Sequence, residues 1–289
     1  MGSVGCWLAA GGLQHVWWLQ FCCWMLAAVI MVEINNRYAL IRIFSRMTSC
    51  SFLALSCCAC SLFPSVASGL CALTVSGACL LLFNSYQDKQ SPGWTFYGFC
   101  CLGVGSMAFP QILFYVPFLW LFMATLLLSL SWRTWAASLL GLLLPYWFAL
   151  CWLIWTADFS PLLHQLSLLA TFELPADYSH LTNAVVLPIA LCTVLGLTGT
   201  FHFLRQKSND KIRVRLQHAF FYWMAALTLL FIALQPCHVG CLLPILIVCV
   251  SPLAGHYIAL THSRLSNAVF ITALTAAILI TCYNLWTMS

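Results

Sequence analysis

Charge is what this sequence has least of. Only 6% of its 289 residues are Asp, Glu, Lys or Arg, against roughly 25% in a soluble globular chain. So few charges cannot cover a surface facing water, which excludes an ordinary soluble enzyme. A disordered chain is excluded too, because disorder needs low hydrophobicity and high charge. The 11 basic and 6 acidic residues leave a net charge of +5, too sparse to track a phosphate backbone, so nucleic acid is not an expected partner. Motifs that carry chemistry are scarce as well. There is no His-Glu-x-x-His, no pair of Cys-x-x-Cys motifs and no Gly-x-Ser-x-Gly nucleophile elbow. Cys237-His238-Val239-Gly240-Cys241 offers three ligands in one turn but lacks a second cluster, and structural zinc takes four ligands. No metal and no other cofactor is expected.

What is present is apolar: 63% of the residues, with 13 Trp and 20 Phe. A membrane span takes about 20 apolar residues. The 17 cysteines sit mostly inside apolar runs, where free Cys behaves as a small hydrophobe. Cys237, in a turn with Cys241 four residues on, is the one place where a bridge or metal pair is the alternative.

The apolar runs divide the chain into 6–32, 50–63, 66–83, 95–109, 112–131, 134–155, 183–204, 216–234, 241–260 and 268–286. The first lacks a basic n-region and a small-residue cleavage site, so it reads as a retained span and not as a signal peptide. The fold class expected is all-α: a polytopic transmembrane helix bundle of about ten spans (8–10), forming one transmembrane domain over 1–289. The second and fourth runs are short for a crossing. Basic residues test the segmentation. Arg37, Arg42 and Arg46 follow the first span, Lys89 the third and Arg133 the fifth; Arg205, Lys207, Lys211, Arg213 and Arg215 follow the seventh, and Arg264 the ninth. All basic residues thus fall in odd-numbered connections, and the opposite side carries Asp158, Glu173 and Asp177. The positive-inside rule then places both termini outside the cytoplasm.

On this segmentation no Asp, Glu, Lys or Arg falls inside a span, which argues against a proton-coupled pump. The polar span residues singled out are Gln14, His15, Gln20 and His256. The histidines read as packing residues, although Ser251-Pro252 near His256 can kink a span and free a carbonyl for a small notch. Gly103-Val104-Gly105 reads as a helix-packing element.

Two connections could carry chemistry. In the segment 35–47, Arg42 and Arg46 are four apart and would share a helix face, with Leu40, Ile41, Ile43 and Phe44 against lipid or the bundle. Snorkelling arginines anchor topology; Arg37, Arg42 and Arg46 are also the candidates for an anionic head group or pyrophosphate, which Arg binds bidentately. The outer connection 157–182 reads as an interfacial helix starting at Ser160-Pro161. It would gather Asp158, His164, Glu173, Asp177 and His180, weak candidates for general acid–base work on what is otherwise a solvated lid. Arg205 to Arg215 reads as an orienting, lipid-contacting stretch.

Asn36-Arg37-Tyr38-Ala39-Leu40-Ile41-Arg42 with Ser45-Arg46, Trp132-Arg133-Thr134-Trp135 running into Gly141 and Pro145-Tyr146, and Ser251-Pro252 through His256-Tyr257 resemble a family of polytopic inner-membrane proteins of Bacteroidota with no assigned activity. The resemblance covers most of the chain and implies a Gram-negative cell envelope. A fainter likeness joins Phe96 to Tyr115 with Trp132-Arg133 and is to membrane glycosyltransferases that use polyprenyl-phosphate sugars. Those enzymes carry a catalytic acid in an early, large outer loop; here the first outer connection is Pro64-Ser65. The leading expectation is a non-catalytic subunit or scaffold of the inner membrane in cell-envelope biogenesis, with membrane lipids and other envelope membrane proteins as partners. The alternatives are a transporter or flippase of a lipid-linked or amphipathic substrate, and a membrane-embedded glycosyltransferase or glycan polymerase.

Overall fold

The computed structural model describes residues 2–9, 18–43, 45–157, 160, 165, 167–169, 181–206, 210–261 and 264–288. The elements are helical throughout these residues: α1 (Gly2–Ala9), α2 (Trp18–Tyr38), α3 (Met47–Cys58), α4 (Val66–Asn84), α5 (Pro92–Ala108), α6 (Val116–Thr125), α7 (Trp132–Thr156), α8 (Asn183–Gln206), α9 (Ile212–Leu234), α10 (Val239–Leu260) and α11 (Arg264–Met288). Among the described residues, seven helices are long and apolar enough to cross a membrane: α2, α4, α7, α8, α9, α10 and α11. This is an integral, multi-pass membrane protein by its helices.

The long spans are fewer than the apolar runs, for local reasons. The run 50–63 becomes α3, of 12 residues, or about 18 Å against a hydrocarbon core of about 30 Å. It ends in a 3-10 turn, Cys60–Leu62, and the freed end is caught by Asn284 of α11, whose Nδ2 donates to Cys58 O at 2.7 Å and to Ala184 O at 2.9 Å. The run 95–109 becomes the 17-residue α5, which ends one residue short of it, with Phe109 extended. The run 112–131 is broken: Pro110–Tyr115 is a 3-10 helix, α6 has only 10 residues, and Leu128 sits at φ 53°. The first span is displaced along the chain. Helix α2 runs six residues past Val32 and so carries Glu33 and Arg37, both exposed. A cation suits that C-terminal turn because it faces the negative end of the helix dipole.

The chain divides into two compact units, residues 1–72 with 175–289, and residues 73–174. In the second unit α5 lies along α7. A Cβ on Gly103 would come within 2.7 Å of Leu142 O, and one on Gly141 would land on Phe96 O. Glycine at both points allows this backbone approach, as small residues do in membrane bundles. Helix α7 starts in a capping box between Ser131 and Thr134.

In the first unit α10 is the central post. It is apolar on all sides and buried from Leu242 to His256, as expected for a helix surrounded by others. Helices α3, α8 and α9 pack around it. Pro252 removes the amide that would bond Val248 O, and one residue earlier the Ser251 hydroxyl donates to Ile247 O, back along its own helix. Two glycines set the spacing. A Cβ on Gly255 would come within 2.8 Å of Thr48 N, and one on Gly199 within 2.7 Å of Leu253 O. Both contacts lie within one turn of His256.

Candidate functional site

Three parts of the first unit meet at one end: the α2–α3 segment, Asp210 ahead of α9, and the C-terminal turns of α10. The α2–α3 segment is a turn and bends, with Ala39 at φ 49°. The expectation that Arg42 and Arg46 share a helix face is therefore overturned. Left-handed Ala39 stops α2, while Leu40 and Ile41 are buried and pin the turn to the core and Ile43 stays exposed. Phe44 lies outside the described residues.

Arg42 Nε donates to Asp210 Oδ1 at 2.6 Å; the arginine side chain is 43% exposed and that of Asp210 1%. The other carboxylate oxygen, Oδ2, is 3.5 Å from His256 Nε2, whose side chain is 1% exposed. Asp210 thus bridges a half-exposed cation and a buried imidazole. His218, buried on α9, has its ring 4.7 Å from that of His256. Its Nδ1 lies 3.0 Å from Val214 O, so that nitrogen carries the hydrogen and donates, leaving Nε2 as the acceptor nitrogen. Half-buried His202 on α8 lies 5.7 Å from His256 and 5.3 Å from Tyr257, ring to ring. Phe203 stacks on His218 at 5.0 Å and meets His256 edge-on. Buried and without a hydrogen-bond partner are both nitrogens of His202 and His256, Nε2 of His218, Oδ2 of Asp210 and both amide atoms of Gln217.

Beside this cluster lies an apolar cavity of about 200 Å³. It is walled by Cys50 and Ala54 of α3, Leu191 of α8, Ala254 of α10, and Phe270 and Ala277 of α11, with Met47 and Leu55 at its ends along α3. Along α3 it extends from Met47 to Leu55, about 12 Å at 1.5 Å per residue. Its wall starts immediately after exposed Arg46, and Arg264 is exposed at the first residue of α11.

Of the residues expected from the sequence, Arg37 ends α2 exposed, Arg46 precedes α3 exposed, and Arg42 is held by Asp210. Asp158, His164, Glu173, Asp177 and His180 lie outside the described residues, as do Gln14 and His15. Near the outer connection, Gln165 Nε2 donates to Met107 O and Gln111 Nε2 to Leu168 O. Gln20 is buried. All 17 cysteines are free thiols; Cys241 is hydrogen-bonded to Cys71 and not paired with Cys237. Among the described residues no three His, Cys, Asp or Glu side chains are arranged to hold a metal ion.

His202 and His218 lie inside apolar runs, where the segmentation gives them no weight, and Asp210 sits in a stretch that reads as basic. A depth count could have found them. His202 is four residues from the end of α8, His218 six from the start of α9 and His256 four from the end of α10. With 1.5 Å per residue the three sit at nearly one level. No family model, no curated protein and no solved structure matches the chain.

Proposed function

We propose that this is a non-catalytic, multi-pass subunit of the cell inner membrane in cell-envelope biogenesis, and that it binds an anionic lipid. The observation that carries this is the cavity between α3, α8, α10 and α11, apolar in its walls and beginning beside Arg46. A short α3 leaves room between longer neighbours, which an acyl or prenyl tail fills. The arginines at the same end suit a negative head group, each worth about 1 kcal/mol near an anionic surface. The resemblance to Bacteroidota inner-membrane proteins supports the location. A protein partner is supported by α11, of which only 6% of the crossing segment is buried within the chain.

The test is lipid retention. The full chain is purified in mild detergent and its bound lipids are measured by native mass spectrometry. Anionic lipid retained by the wild type, lost in Ala54→Phe and Ala277→Phe and reduced in Arg46→Ala, is the expected pattern. Equal retention of zwitterionic and anionic lipid, or full retention with the cavity filled, refutes the reading. A second reading, a carrier of a lipid-linked substrate, is favoured by the ionisable cluster at Asp210, because such groups inside membrane domains commonly line ion or substrate paths.

A further inference from the structure

We propose that Asp210, His256, His218 and His202 form a proton-binding site, in which a proton is held between Asp210 Oδ2 and His256 Nε2. The inference is independent of lipid binding.

Four side chains capable of binding a proton come together in one place: His202 from α8, Asp210 from the segment ahead of α9, His218 from α9 and His256 from α10. If they were only filling space, the arrangement would be costly. Buried polar atoms without a partner carry an uncompensated desolvation cost, and besides the facing pair Asp210 Oδ2 and His256 Nε2 the cluster presents both nitrogens of His202, Nε2 of His218 and Nδ1 of His256. Apolar side chains of the same volume would avoid that cost. A site that changes its proton content explains the donors and acceptors left open.

The geometry also gives the charges. With His256 neutral, Arg42 and Asp210 form a neutral pair. When His256 takes a proton, Asp210 faces a cation on each oxygen, Arg42 at 2.6 Å and the imidazolium at 3.5 Å, and the site holds one positive charge. The other groups around His256 are His218 from α9, His202 from α8 and Tyr257 beside it on α10; α3 approaches through Thr48 at Gly255. A proton that enters at Nε2 and leaves from Nδ1 returns a neutral imidazole in its other tautomer, so His256 is able to pass a proton as well as hold one. Arg42, half exposed, connects the site to the surface of the chain.

The experiment is nuclear magnetic resonance of the full chain in detergent micelles, with histidine ring carbons labelled, between about pH 2 and 9, because buried imidazoles take up a proton well below the ordinary range. The chain has 8 histidines, so those outside the cluster serve as controls. Expected are cluster resonances that titrate together, with His256→Gln altering the curves of His218 and His202. Asp210→Asn displaces the shared midpoint by about one unit or more, since a nearby charge shifts a titration by that amount. Three results overturn the proposal: cluster resonances that do not titrate while the fold persists, curves that ignore Asp210→Asn, or a stoichiometric zinc ion retained by the purified protein. If His256→Gln does not fold, the wild-type and Asp210→Asn titrations decide.

Discussion

Removing either partner of the Arg42–Asp210 pair should have unequal consequences. Asp210 is 1% exposed and Arg42 43% exposed. Arg42→Ala leaves a buried carboxylate facing an imidazole 3.5 Å away and no arginine. Breaking a fully buried pair this way costs about 3–5 kcal/mol; because Arg42 is partly solvated, about 2–3 kcal/mol is the appropriate expectation here. Asp210→Asn instead leaves a guanidinium that water can solvate and an amide oxygen that still accepts from Nε, at a cost of about 1 kcal/mol. The double variant Arg42→Ala/Asp210→Asn should therefore be more stable than Arg42→Ala alone by about 1 kcal/mol, a coupling of about 2 kcal/mol once the cost of Asp210→Asn is included. The Arg42→Ala deficit should also shrink as pH falls, since a proton taken up by His256 gives the carboxylate a cationic neighbour in place of the arginine. Thermal unfolding in detergent, followed by tryptophan fluorescence at two pH values, measures all of these. Equal losses in the two single variants, or a double variant worse than Arg42→Ala, would refute the reasoning.

The remaining expectations concern packing, orientation and chemistry outside this pair. Gly255→Ala and Gly199→Ala each place a methyl group against backbone, at Thr48 N and Leu253 O, and should destabilise by about 1–3 kcal/mol through forced helix separation; unfolding midpoints unchanged from wild type would show that the helices yield freely. Reporter fusions at Asn209 should report the cytoplasm and those at Asp177 the opposite side, given the distribution of basic residues, and cytoplasmic activity at Asp177 would reverse the orientation. Alanine in place of the intramembrane cysteines should preserve the fold, because all are free thiols; a mass change of the native protein on reduction would contradict this. Asp158→Asn and Asp177→Asn should leave function intact on a solvated lid, whereas a loss of about a hundredfold would indicate acid–base catalysis there.

Composition and periodicity alone determine that this chain lives in a membrane as a helical bundle. A lipid interior satisfies no backbone group, and an unbroken apolar run of about 20 residues, without the alternation of a barrel strand, closes its hydrogen bonds within itself as a helix. The same local information shows glycine at Gly103 as a packing residue and arginine at Arg42 as a residue to watch. It does not show which runs are long helices: α3 and α6 are as apolar as their neighbours, and their lengths are decided by Pro110, by Leu128 in the left-handed region, and by Asn284 reaching from α11 to cap the end of α3. Nor does it show that Asp210 belongs with Arg42, 168 residues away, or that three histidines on α8, α9 and α10 share one level. Ion pairs and ring contacts between distant segments leave no periodic trace in the chain. They exist only once Gly199 and Gly255 let α8 and α3 close on α10 and carry those side chains to the same place.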